Sequence, residues 1–110
     1  MTTDPQTALT AALDRMWVQF LPQIEERVDV LAAAAQAFAV RQLSAEQQQA
    51  AQAAAHKLAG ALGTFGLASG TALARELEVM YSQEGGPDPA SGEQLASLAA
   101  ELHTIVASRK

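Results

Sequence analysis

The chain has 110 residues, 49% of them hydrophobic and 17% charged, with a formal net charge of -5 and no cysteine. That length and apolar content suffice for one core, so a single domain over residues 1–110 is expected, far from the composition of disordered chains. Seven basic residues in an acidic chain exclude a nucleic-acid binder, which needs clustered Lys and Arg, and the lack of cysteine excludes both a disulfide framework and a thiolate metal site.

The longest apolar stretch, from Val28 to Val40, is broken by Asp29 and Gln36 and falls short of the ~20 residues of a membrane span. Met1 to Pro5 carry no basic region followed by an apolar core, so no export signal is visible. A soluble cytoplasmic protein is the expectation.

Period-two alternation of strand formers is missing, and Ala, Leu, Gln and Glu dominate nearly every window, so the reading is all-α. Asp4 before Pro5 has the pattern of an N-cap followed by proline at the first helical position. It opens a helix whose apolar residues Leu9, Leu13, Trp17 and Phe20 recur at three- and four-residue steps. Pro22 is expected to end or kink that helix. A second helix is predicted from about Pro22 to Val40, with Ile24, Val28, Leu31, Ala35 and Phe38 facing inward.

Ser44 and Gln47 have the spacing of a capping box and start a third helix that runs through His56. The cluster Gly63, Gly66, Ser69 and Gly70 is where it should stop. A fourth helix carries Leu73, Leu77, Met80 and Tyr81, and the turn-rich segment from Glu84 to Pro89 closes it. The last helix, from roughly Ser91 to Ser108, presents Leu95, Leu98, Leu102, Ile105 and Val106 on one side. Short connections favour antiparallel neighbours, so the predicted architecture is an up-and-down four-helix bundle with an additional N-terminal helix.

At about 100° per residue, Ala51, Ala54, Ala55, Leu58, Leu62 and Phe65 share the core arc of the third helix. His56 lies on the opposite side, among Gln49, Gln52, Gly60 and Gly63. Each interior glycine costs about 0.8–1.0 kcal/mol relative to alanine, a cost that bare backbone beside an exposed imidazole would justify by admitting a phosphoryl group or a partner surface. Lys57 is near enough to swing toward an anion at the ring. Neutral imidazole, with an unperturbed pKa of about 6.5, is a good nucleophile near neutral pH, and its phosphoramidate is labile enough to pass the group on. His103 lacks such surroundings and reads as structural or solvent-facing. Trp17, Phe20, Phe38, Phe65 and Tyr81 read as core anchors.

The run from Ala55 through His56, Lys57, Leu58, Ala59, Gly60, Gly63 and Gly66 to Leu67, followed by Leu77 and Glu78, resembles the signature of the histidine-containing phosphotransfer (HPt) family. The resemblance implies a helical bundle in a two-component phosphorelay, with His56 as phosphoacceptor and Gly60 opening space beside it. It implies a phosphoryl carrier without kinase activity of its own, consistent with the lack of a glycine-rich nucleotide loop. The implied partners are a response-regulator receiver domain and a sensor histidine kinase or hybrid kinase; no nucleic acid or membrane is involved, a monomer is expected, and Mg²⁺ is expected only in the partner receiver.

The family's usual Lys three residues after the acceptor is replaced by Ala59, leaving Lys57, Gln52, Gly60 and Gly63 as the predicted phosphoryl environment. Where many members place a Gln on the facing helix to hold the imidazole, this chain offers Arg75 or Glu78, and either could serve. The alternatives are a docking module that is never phosphorylated and a bundle cofactor site using His56 and His103.

Overall fold

A computed structural model describes residues 4–109, so Met1 to Thr3, scanned above for an export signal, lie outside the described residues. Four α-helices and one 3₁₀ turn make up the regular structure: α1 (Pro5–Ala39), α2 (Ala45–Thr64), α3 (Ala68–Tyr81), the turn Pro89–Ser91 and α4 (Gly92–Ser108). Each helix packs on its neighbours in chain order, and α4 closes the ring against α1. Trp17, Ile24, Val28 and Leu31 of α1 meet Leu58 and Leu62 of α2, Leu77 and Tyr81 of α3, and Leu95 and Leu102 of α4 in one buried cluster.

The all-α bundle agrees with the sequence reading, but the additional N-terminal helix is not a separate element. The two helices predicted to meet at Pro22 are one continuous helix of 35 residues. Pro22 removes the bond to the Val18 carbonyl, but Pro22 is exposed and Val18 is 71% exposed, so the break falls on the solvent side of the helix. Burial of Trp17 and Ile24 on either side of the proline then carries the helix through it. The amino-terminal part of α1 runs past the bundle, giving an elongated molecule of 60 × 20 × 20 Å. Of its predicted inward residues, Trp17 is buried, whereas Leu9 is 60% and Phe20 39% exposed.

Arg109 ties this overhang down. Its guanidinium lies 4.8 Å from the Trp17 ring and 5.4 Å from the Phe65 ring, and it donates to Asp14 at 3.2 Å. Trp17 and Phe65 meet edge to face with centroids 5.1 Å apart.

The helix ends follow the punctuation of the chain. Asp4 accepts from the Gln6 amide, and Ser44 with Gln47 forms the full capping box. At the end of α2, Gly66 takes φ +74°, its amide reaches the Gly63 carbonyl, and the Leu67 amide reaches that of Leu62. This is a Schellman closure, and a side chain at residue 66 would strain it. Ser69 and Gly70, predicted as part of the stop, instead lie in the first turn of α3. Gly70 is buried there, where an added Cβ would come within 2.8 Å of Leu62, so its hydrogen lets α3 settle on α2.

Replacing Pro22 by Ala restores one helix bond on the exposed face and is expected to raise stability by about 1–2 kcal/mol in urea unfolding. Tyr81 is fully buried, its hydroxyl has no hydrogen-bond partner among the described residues, and burial pushes its pKa up to about 12. The unfolded chain loses the phenol proton near pH 10 and the folded chain only near 12, so stability is intact below pH 10 and falls as pH rises from 10 to 12. Tyr81→Phe is expected to gain about 1 kcal/mol at pH 7 and to lose that part of the alkaline decline, measured by urea unfolding at pH 7, 10 and 11.5.

Candidate functional site

The outer surface of α2 is polar in its first half, with Glu46, Gln47 and Gln49 exposed, and beyond Lys57 it is made of small residues at Gly60, Gly63 and Thr64. His56 projects from it with 74% of its side chain exposed, while Ala51, Ala54, Ala55, Leu58 and Leu62 are buried on the opposite face, as the helical wheel requires. The neighbouring helix reaches the ring from one side. Glu78 of α3 brings Oε2 to 2.8 Å from His56 Nδ1. A carboxylate only accepts, so Nδ1 carries the hydrogen and donates it; in the neutral ring, Nε2 therefore bears the free lone pair.

Of the two residues offered on the facing helix, Glu78 holds the imidazole. Arg75 is exposed and makes no hydrogen bond to the ring. Glu78 is itself only 28% exposed, so its carboxylate is partly withdrawn from water and holds the ring firmly.

Gly60 stands one turn beyond His56, and a Cβ built there meets nothing within 4 Å. The space beside the ring is open. Gly63 is also exposed, with Thr71 Oγ1 3.5 Å from where its Cβ would be. Lys57 is exposed next to the histidine, and Gln52 is half-buried one turn before it. Ala59, where the expected lysine is missing, is only 7% exposed.

Two threonines that sequence reading did not single out contribute to this face. Thr71 donates to the Ala59 carbonyl at 3.2 Å and thereby pins α3 to α2, while Thr64 folds back onto the Gly60 carbonyl at 3.1 Å. Nothing in the local pattern marks Thr71, since its role depends on the register between two helices. The shallow cleft formed by Met16, Phe20, Gln23 and Arg27 of α1 with Ala61 and Thr64 of α2 also escaped notice. It exists because Phe20, assigned above to the core, lies at the rim of the bundle instead.

His103 is exposed on α4, diagonal to α2 across the ring of helices, so the two histidines are not brought together. No group of three or more His, Asp or Glu side chains able to hold a metal occurs among the described residues, and no helix among them is long and apolar enough to cross a membrane.

Comparison with known proteins agrees with this geometry. The Hpt domain family matches residues 15–108, which take in α1 from Arg15 onward and all of α2, α3 and α4. Protein RcaC of Microchaete diplosiphon is 38% identical over 76 residues, covering 69% of this chain and 12% of that protein's length. No solved structure matches. With the family matched over nearly its whole length and an outward histidine on the second helix of an all-α bundle, this chain belongs to the Hpt domain family, the histidine phosphocarrier modules of phosphorelays.

Proposed function

We propose that this chain is a phosphoryl carrier domain in which His56 takes a phosphoryl group from a phospho-aspartate or a kinase and delivers it to a receiver aspartate. The observation that carries this reading is the exposed ring held at Nδ1 by Glu78, with Nε2 free and bare backbone at Gly60 beside it. Any Mg²⁺ belongs to the receiver, the domain has no kinase activity of its own, and it acts as a cytoplasmic monomer.

In the forward step the Nε2 lone pair attacks the phosphorus of the acyl phosphate. The new P–N bond forms as the P–O bond to the aspartyl oxygen breaks, and the carboxylate leaves with the bonding pair. The ring becomes a phosphoimidazolium, whose positive charge lies against the Glu78 carboxylate through the Nδ1 hydrogen. Reversal returns the group to a second aspartate. Such a transfer is mostly positioning, since donor and acceptor must lie in line with phosphorus, and a ring fixed on a rigid helix meets that demand.

Three substitutions test the reading in a transfer assay with a phosphorylated receiver. His56→Gln is expected to abolish acid-labile phosphate with an unchanged circular dichroism spectrum; undiminished labelling would rule His56 out. Glu78→Ala removes a charge-assisted hydrogen bond of about 1.5–3 kcal/mol and should slow transfer roughly ten- to a hundredfold. Gly60→Ala should stabilise the fold by about 0.8–1.0 kcal/mol, because its methyl meets open space, yet slow transfer about threefold or more by crowding the approach. Stabilisation with undiminished transfer would show that the glycine has no part in the chemistry.

A further inference from the structure

A phosphoryl group on Nε2 adds close to two negative charges beside a chain whose net charge is already -5. It also stands near the Glu78 carboxylate, which is 2.8 Å from the same ring. A cation should offset that charge. Residue 59 cannot supply one: it is alanine, 7% exposed, and its carbonyl receives the Thr71 hydroxyl of α3.

The helix that donates this hydroxyl also carries a charge. Thr71 and Glu78 both touch α2, at the Ala59 carbonyl and at the His56 ring, and so mark the stripe of α3 that borders the active surface. Arg75 lies on that same stripe, four residues after Thr71 and three before Glu78. It is exposed, and it is held by neither an ion pair nor a hydrogen bond among the described residues. On α2, one turn beyond His56, the space over Gly60 is open, with nothing within 4 Å of where a Cβ would stand.

We infer that Arg75 is the phosphoryl-binding residue of this domain, its guanidinium lying across the bare backbone at Gly60 to donate to the phosphoryl oxygens on His56 Nε2. The inference rests on the reading of His56 as the acceptor. A planar fork of donors suits phosphoryl oxygens better than a single ammonium group, and in the unphosphorylated protein the side chain stays in water at little cost. The adjacent Lys57 sits about 100° around α2 from His56, on the side of α1 rather than α3, and contributes less.

The test uses the whole chain phosphorylated with phosphoramidate, in which Nε2 displaces ammonia from phosphorus, and follows the phosphohistidine by ³¹P NMR. A nearby cation favours the phosphoryl dianion, so Arg75→Gln should raise the second phosphoryl ionisation by about half a unit. The same variant should slow transfer to a receiver about three- to tenfold. Arg75→Lys should recover most of both effects, and Lys57→Gln should shift the ionisation less than Arg75→Gln does. A merely structural role for Arg75 would leave the phosphoryl titration unmoved. If the wild type is labelled on His56 but Arg75→Gln titrates like the wild type, or Lys57→Gln gives the larger shift, the assignment of Arg75 is overturned while His56 stands. If the wild type takes no phosphoryl group, or His56→Gln takes it equally, the carrier reading itself fails and this inference falls with it.

Discussion

The close approach of α2 and α3 is the constraint on which the site depends. The two helices share the most extensive contact in the bundle, and small residues lie buried along them: Ala55, Ala59 and Ala74, with Gly70 seated so close to Leu62 that an added methyl group would push the leucine aside. Small side chains bring helix axes together, and at short separation a hydroxyl can reach a backbone carbonyl on the other helix. Thr71 does so at Ala59. At the far end of the pair, Gln48 donates to the carbonyls of Tyr81 and Gln83 at 2.9 and 3.1 Å, filling acceptors that the end of α3 leaves open. With both ends tied, the register is set and the Glu78 carboxylate arrives at His56 Nδ1.

Polar groups divide cleanly between this face and the interior. The core holds alanine, leucine, isoleucine and valine with Trp17 and Tyr81, and the phenol of Tyr81 is the buried oxygen left without a partner. Apart from that phenol, the titratable side chains lie outside the core, where a protein partner can reach them. An imidazole held there by one partly withdrawn carboxylate keeps its orientation without losing access, which a nucleophile passing a group between proteins requires.

Much of this was legible in the residues themselves. Caps at Asp4 and Ser44, the arc of alanines and leucines opposite His56, and the glycine turn at Gly66 are local patterns, and local patterns survive folding because they concern a few consecutive residues. What the chain did not disclose was set by neighbours. Pro22 reads as a break until its exposed position on a helix packed on both sides is known. Phe20 reads as core until its side of the helix is known: between the buried Trp17 and Ile24 it faces the cleft at the rim of α1 and α2. The choice between Arg75 and Glu78 turns on which residue of α3 lies opposite His56, and that register comes from contacts at Thr71 and Gln48 some turns away.

Alanine at residue 59 and the tight seating of α3 belong to one packing arrangement. At residue 59 a small side chain, 7% exposed, meets the neighbouring helix, and the backbone carbonyl there is open to the Thr71 hydroxyl. Alanine there allows contact, contact allows the Thr71 bond, and that bond carries the next turns of α3 alongside the acceptor histidine. The helix seated on Ala59 is therefore the one that can present a cation, with the carboxylate and the guanidinium three residues apart on a single stripe. One would hold the unphosphorylated ring and the other the phosphorylated one, so both states of the carrier would be served by the same helix surface.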